Sequence, residues 1–446
     1  MFKRLFVGLI LLIIVAIVAP IGSLATAQEE VTIQWWSHWA NEPAKKLVIE
    51  RIAADYEDEH PNVTIEITWW DKNPLRDAIR SSMLAGGDGA PDLTTFDSEV
   101  TEWVQAGWLL PLDDALPWDN FDPAVMIDGT YPNLGFPEHY KFDISTTIVM
   151  IFYNPEIFAE LGIEVPEDNQ FTSEEFVDVV QTCSDAGYAG VADAIGNRPY
   201  VGVWTAQLPL FTLVGGEEFS DYDNGLASWD TPAARQALEY SVELRDAGLY
   251  PDSFSTMTID EMHVYFHTQR ESCMFIIPTW YTGRAFKPVD EGGQDPDWHF
   301  GMLKYPSFEN GVANDSLWLT FESGYAVLSS SEHPDVAKDI LAFAAQPQYG
   351  ALWTAVTNIP SSIKYDIATD WPSEELLNEM GVEPGKWDWY WEEYNEVYGD
   401  MTLEPTARLR CGDFDAAVVE MLNEGLPLGL VGVDDAIMIL NESLCE

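Results

Sequence analysis

Apolar residues recur with a period of two at Val31, Ile33 and Trp35, interleaved with Thr32, Gln34 and Trp36, the spacing of a strand with little polarity on either face. The period then changes. Asn41 is placed to cap a helix with Pro43 in its first turn, and Leu47, Val48, Ile52 and Tyr56 fall on one face until His60-Pro61 stops it. Val63, Ile65, Ile67 and Trp69 return to period two, completing a βαβ unit whose crossover is expected to be right-handed. A helix around Leu75 to Leu84, a turn at Gly86-Gly87-Asp88-Gly89 and a strand from Pro91 to Phe96 repeat the pattern. It continues through the β-branched run Ile144 to Tyr153, a capped helix Ser173 to Cys183, a helix Pro232 to Ala247, a buried strand Cys273 to Ile277 and a helix Pro334 to Ala345. Such alternation predicts an α/β fold with mostly parallel sheets flanked by helices, and 446 residues predict two such lobes.

Composition narrows the partners. Hydrophobic residues make up 47% of the chain, enough for large cores, while 75 acidic against 21 basic residues give a formal charge of -54. So negative a surface repels phosphate backbones, and nucleic acid is excluded as a partner. The excess of carboxylates fits either salty surroundings or a very soluble exported protein, and the second is the expectation adopted.

Lys3 and Arg4 precede an apolar run from Leu5 to Ala19, and Ala25-Thr26-Ala27 offers small residues before Gln28, which predicts a secretory signal peptide over residues 1–27. Its removal takes away two bases and no acid, so the charge becomes more negative by two. The apolar run is short for a membrane anchor, and no Cys follows it to serve as a lipoprotein attachment point. The mature chain is therefore expected in the periplasm or on the outer face of the cytoplasmic membrane. In that oxidising setting Cys183, Cys273, Cys411 and Cys445, none in a CxxC, predict structural disulfides. Of three possible pairings the favoured one joins Cys411 to Cys445, closing the C-terminal segment, and leaves Cys183 for Cys273.

Open α/β sheets bind ligands beyond the carboxyl ends of their strands. Ser37, His38 and Trp39 follow the first strand, Trp70 and Asp71 the second, and Asp97, Ser98 and Glu99 the third. Trp280, Tyr281 and Arg284 follow the Cys273 to Ile277 strand, with Trp204 and Trp318 in similar segments and Asp143 before the β-branched run. Indoles beside carboxylates and amides suit sugars, whose C–H faces stack on rings while their hydroxyls seek charged partners. The competing role for each tryptophan is core packing.

These residues carry a resemblance. Trp35-Trp36-Ser37, the helix end Tyr56-Glu57-Asp58-Glu59-His60-Pro61-Asn62-Val63 and the segment Ala85-Gly86-Gly87-Asp88-Gly89-Ala90-Pro91-Asp92-Leu93 resemble the opening of the family 1 extracellular solute-binding proteins of carbohydrate ABC importers. Later landmarks are similar in order and spacing, among them Ala106-Gly107-Trp108-Leu109, Phe152-Tyr153-Asn154-Pro155, Leu213-Val214-Gly215-Gly216, Ile276-Ile277-Pro278-Thr279-Trp280 and His333-Pro334-Asp335-Val336-Ala337. The family's usual Tyr-Gly-x-Pro before the Tyr-Asn pair is replaced here by Tyr140-Lys141-Phe142-Asp143-Ile144. The resemblance implies a two-lobed, periplasmic-binding-protein-like fold with ligand in the cleft between lobes, hinge closure, permease subunits of an ABC transporter as partners, a monomer, and neither catalysis nor cofactor. It places residues 28–143 and 299–347 in the first lobe and 144–298 with 348–446 in the second.

The enzymatic alternatives have less support. There is no G-x-S-x-G, G-x-x-x-x-G-K-[ST] or H-E-x-x-H. His263 and His267 lack an acidic residue at the place a zinc site needs, and Asp221-Tyr222-Asp223-Asn224-Gly225 lacks the fifth-position ligand and closing Glu of a calcium loop. No catalytic residue and no metal are expected. A secreted glycoside hydrolase or a stand-alone carbohydrate-binding protein remains the alternative.

Overall fold

The computed structural model describes residues 30–97, 101–122, 126, 130, 135–197, 203–320, 323–406 and 410–445. The leader expected over 1–27, and Ser98 and Glu99, lie outside them.

In chain order the strands are β1 Val31–Ser37, β2 Val63–Trp69, β3 Leu93–Phe96, β4 Thr147–Tyr153, β5 Ala189–Val191, β6 Ser272–Pro278, β7 Gly301–Leu303, β8 Ser316–Thr320, β9 Gly324–Val327 and β10 Thr402–Pro405. The helices that matter below are α1 Pro43–Glu59, α2 Lys72–Leu84, α3 Ser173–Asp185, α4 Val203–Val214, α5 Pro232–Asp246, α6 Ile259–Val264, α7 Thr282–Ala285, α8 Pro334–Ala344, α9 Pro347–Thr357, α10 Asp388–Tyr398, α11 Gly412–Val418 and α12 Val433–Glu442. Local chemistry sets several of their ends. Thr172 and Glu175 form a capping box at α3, and the Thr231 hydroxyl accepts from the Ala234 N–H at α5, with Pro232 in the first turn. At α1 the N-cap is Glu42, not Asn41, whose amide instead donates to Asp71 at 3.1 Å.

Two sheets divide the molecule. The first runs β2-β1-β3-β9, with β1 parallel to β2 from Val31↔Val63 to Ser37↔Trp69, β3 parallel to β1, and β9 antiparallel to β3. In the second, β4 is antiparallel to β6, β7 and β8, while β5 and β10 run parallel to β6 and β8. The sheets are thus mixed, where the alternation had predicted mostly parallel ones. Strand–helix alternation specifies parallel neighbours only inside one lobe; a strand that arrives from the other lobe, as β9 does three residues after β8, enters against its neighbour.

Each sheet has its own core. Ile33, Trp35, Ile52, Leu93, Tyr325, Leu341 and Trp353 pack around the first; Phe152, Trp229, Phe275, Tyr390, Phe414 and Leu440 pack around the second. Within 299–347, β7 and β8 pair with β4, and only β9 and α8 join the first sheet. Within 348–446, residues through Leu377 pack on the first core and those from Tyr390 onward on the second, because α9 offers Leu352, Trp353 and Val356 to the face of α1. Cys183 on α3 is bridged to Cys273 on β6, and Cys411 to Cys445.

Most described cations are already ion-paired within the chain, buried as in Arg76–Asp97, Lys141–Asp143 and Arg410–Asp223 or at the surface as in Arg270–Glu156. The remaining carboxylates repel one another across the surface. Raising NaCl from about 0.1 M to about 1 M shortens the Debye length from about 10 to 3 Å and is expected to raise the thermal midpoint. A midpoint that stays level or falls in a salt series would count against this account.

Candidate functional site

Because β1, β2 and β3 are parallel, the residues after Ser37, Trp69 and Phe96 emerge at one edge and form one wall of the site. The Trp70 N–H donates to the Ser37 carbonyl at 2.8 Å, the His38 N–H to the Thr95 hydroxyl at 3.1 Å, and the Ser37 hydroxyl pairs with the Tyr325 hydroxyl at 2.9 Å. Trp70 leans on Trp36 with ring centroids 5.0 Å apart, both half-buried. Asp71 is exposed.

Asp97 is the electrostatic centre of this wall. Its carboxylate accepts from Arg76 Nε at 2.8 Å and Nη2 at 2.6 Å, from Lys72 Nζ at 3.0 Å and from the Ser323 hydroxyl. Burial opposes ionisation, but Arg76 and then Lys72 outweigh it and hold the carboxyl well below the usual range. His38 responds mainly to burial, which pushes its imidazole down to about 3 against the pull of Asp97, and its Nδ1 has no hydrogen-bond partner among the described residues. The ring is therefore neutral near pH 7 and carries one donor and one acceptor nitrogen.

The second wall starts where β6 ends. Trp280, half-buried, touches apolar side chains of both cores; the Arg284 guanidinium carbon lies 5.6 Å from its ring centroid, and His263 meets it edge-on at 5.7 Å. Arg284 is ion-paired with Asp260. The two walls touch: the Thr282 hydroxyl lies 3.1 Å from the Thr357 carbonyl and 3.0 Å from that of Asn358. Asp143 sits where the chain first crosses between sheets, paired with Lys141 at 3.1 Å and flanking Gly324, where a Cβ would come within 2.5 Å of Asp143 Oδ1.

Of the expected contact residues, Ser37, His38, Trp70, Asp71 and Asp97 are thus gathered on one wall and Trp280 and Arg284 on the other. Four aromatics are core instead. Trp39 is 0% exposed, wedged between Tyr325 and Trp353 at centroid distances of 5.3 and 5.4 Å. Tyr281 is fully buried against Phe152 and Phe275, with its hydroxyl 3.1 Å from His267 Nδ1. Trp318 packs against Phe211 and Phe219, donating from Nε1 to the Thr406 hydroxyl at 2.9 Å, and Trp204 on α4 packs into the second core. An indole fills a core as well as it stacks on a sugar, and no spacing in the chain separates the two uses. Conversely, Lys72 and Arg76 escaped notice although they stand i,i+4 on the helix that follows β2, the spacing that puts two cations on one face. His267 has both ring nitrogens engaged, by Tyr281 and by the Gly292 carbonyl, each at 3.1 Å. Among the described residues no group of three or more His, Cys, Asp or Glu could hold a metal ion.

Trp280→Ala is expected to weaken ligand binding at least about tenfold while leaving the thermal midpoint nearly unchanged, since one stacked ring contributes about 1–2 kcal/mol. Parallel titration and melting curves check this; a collapsed midpoint with unchanged affinity per folded molecule would assign the ring to the core.

Residues 39–351 match the family model for bacterial extracellular solute-binding proteins. The chain is 24% identical over 326 residues to the arabinooligosaccharide-binding protein of Halalkalibacterium halodurans; the alignment covers 68% of this chain and 60% of that protein, less than two thirds of its length. A solved structure from work on xylan utilisation by Caldanaerobius polysaccharolyticus superposes with a TM-score of 0.74 at 19% identity, covering 93% of this chain and 100% of the other. A chitin oligosaccharide binding protein gives 0.70 at 15% identity, covering 92% and 97%. The fold is that of the two-lobed solute-binding proteins.

Proposed function

This chain belongs to the family of bacterial extracellular solute-binding proteins, and on that premise we propose that it captures a neutral mono- or oligosaccharide between its lobes and delivers it, unchanged, to an ABC importer. The observation that carries the ligand class is the pairing of every cation named in the two walls with a carboxylate: Lys72 and Arg76 with Asp97, Lys141 with Asp143, Arg284 with Asp260. A phosphorylated or dicarboxylic ligand would have to break such a pair. A neutral polyol finds an aromatic face at Trp280 and charged hydrogen-bonding partners already in place. Relatives that bind arabinooligosaccharides and chitin oligosaccharides support the oligosaccharide class.

Export follows from the family. The finer reading adds cleavage after Ala27, no lipid attachment, and action as a monomer with permease subunits as partner. The first lobe is taken to be the β2-β1-β3-β9 sheet with its core, and the second the β4-centred sheet with the C-terminal helices. The sugar drives closure because it contacts both walls only in the closed state, and a ligand shifts an equilibrium only through its differential affinity.

Adding arabinotriose or chitotriose is expected to change tryptophan fluorescence saturably, to lower the radius of gyration in small-angle scattering, and to leave the sugar intact on long incubation. A constant radius with binding would mark a non-transport module. Released reducing ends would mark a hydrolase.

A further inference from the structure

Glu42 closes the loop that leads from β1 into α1, and it stands where the two walls meet. It occupies the N-cap of α1 without capping it; its carboxylate pairs with Lys45 at 2.9 Å, the two side chains 9% and 1% exposed. Two charges withdrawn so far from water are not retained for stability alone, since an apolar pair of like volume does as well or better. Across from them lies α7 of the other wall. A Cβ on Gly283 would sit 3.5 Å from Glu42 Oε2 and 4.0 Å from Lys45 Cε, ordinary contact distances, so the backbone of α7 lies directly against the pair. Arg284 comes next in the chain, and after Lys45 its charge is what most favours ionisation of Glu42 against burial, which leaves that carboxyl at about 2.

Arg284 needs such a support. Its carboxylate partner Asp260 is 71% exposed, and exposed pairs hold a side chain weakly. Its Nε is buried without a hydrogen-bond partner among the described residues. The guanidinium nevertheless stays over the Trp280 ring. We propose that Glu42 is a positioning residue that acts across the lobes: its buried carboxylate, seated against Gly283, holds the Trp280–Arg284 segment in its binding orientation and so couples the first wall to the ligand platform of the second. The proposal rests on the sugar-binding reading for its consequence, namely that loss of the Glu42 charge lowers sugar affinity, but not for its geometry.

The test therefore has a ligand-free arm. Hydrogen exchange of the amides of residues 279–286 is expected to quicken roughly tenfold in Glu42→Gln and in Arg284→Met, with the double variant no faster than Arg284→Met alone, because coupled residues fail to add. Glu42→Asp should restore most of the protection. Since Glu42→Gln strands the Lys45 ammonium, Glu42→Gln/Lys45→Met, which removes both charges, is measured beside it and should show the same quickening at 279–286. Unchanged exchange in these variants, or additivity with Arg284→Met, overturns the proposal. In the second arm, titration with arabinotriose should show the affinity of Glu42→Gln reduced in step with its exchange. If wild-type protein binds neither arabinotriose nor chitotriose, the sugar reading falls while the exchange result still decides the role of Glu42.

Discussion

Replacing Arg410 by methionine is expected to lower the unfolding free energy by about 3–5 kcal/mol, the usual cost of removing one partner from a buried ion pair. Arg410 is 6% exposed and Asp223 1%. The guanidinium donates from Nε to the Asp223 carbonyl at 2.8 Å, from Nη2 to its carboxylate, and from Nη1 to Asp415 at 3.0 Å. Without it, Asp223 keeps, among the described residues, the amide of Gln207 as the oriented donor to its buried carboxylate. Arg410→Met/Asp223→Leu, which removes both charges, should recover much of the loss. Denaturant unfolding of the two variants makes the check, and a single variant as stable as wild type would show that the pair contributes nothing. The consequence reaches the whole C-terminal segment. Gly225, with φ +70°, lies so close to Phe414 that a Cβ would approach its ring to 2.6 Å, and its carbonyl accepts from the Cys445 N–H at 2.9 Å. Asp221 to Gly225, the end of the helix Gly216–Asp223 and the turn that follows it, is the anchor to which α11 and the Cys411–Cys445 bridge are fastened.

What could be read from the chain was whatever neighbours in sequence decide. The β1–β2 register follows from period-two patterning on both strands, and the capped starts of α3 and α5 follow from Thr172 and Thr231 with their flanking Glu175 and Pro232. Contacts between distant segments were not legible. Ser323, which donates to Asp97, is 226 residues away, and nothing local in either segment marks the pair. The same distance hid β9, a four-residue strand whose partner β3 lies more than two hundred positions earlier. Trp280 and Trp39 show the limit for single residues: both follow a strand end, but Trp39 turns into the core between Tyr325 and Trp353, and Trp280 stays at the boundary between two cores. Glu42 and Lys45 read as an ordinary i,i+3 helix pair until Gly283 of the other wall is set against them.

Asp193→Asn is expected to stabilise the protein at pH 7 by roughly 4 kcal/mol. Asp193 follows β5 and is 3% exposed; its Oδ1 accepts from the Ala194 N–H at 2.8 Å. Burial pushes its pKa up to about 8, with the Ala194 hydrogen bond opposing weakly. A pKa raised by folding gives a contribution that is complete below the unfolded value of about 3.9 and is lost as pH rises toward the folded value. Between pH 4 and 8 the unfolded chain has released this proton and the folded chain has not, which costs about 1.4 kcal/mol for each pH unit. Asparagine keeps the acceptor for Ala194 and has no proton to lose, so its advantage should be near zero at pH 4, grow steadily, and level off above pH 8. Urea midpoints of the two proteins at pH 4, 6 and 8 measure that slope, and a pH-independent difference would mean that Asp193 is ionised in the fold.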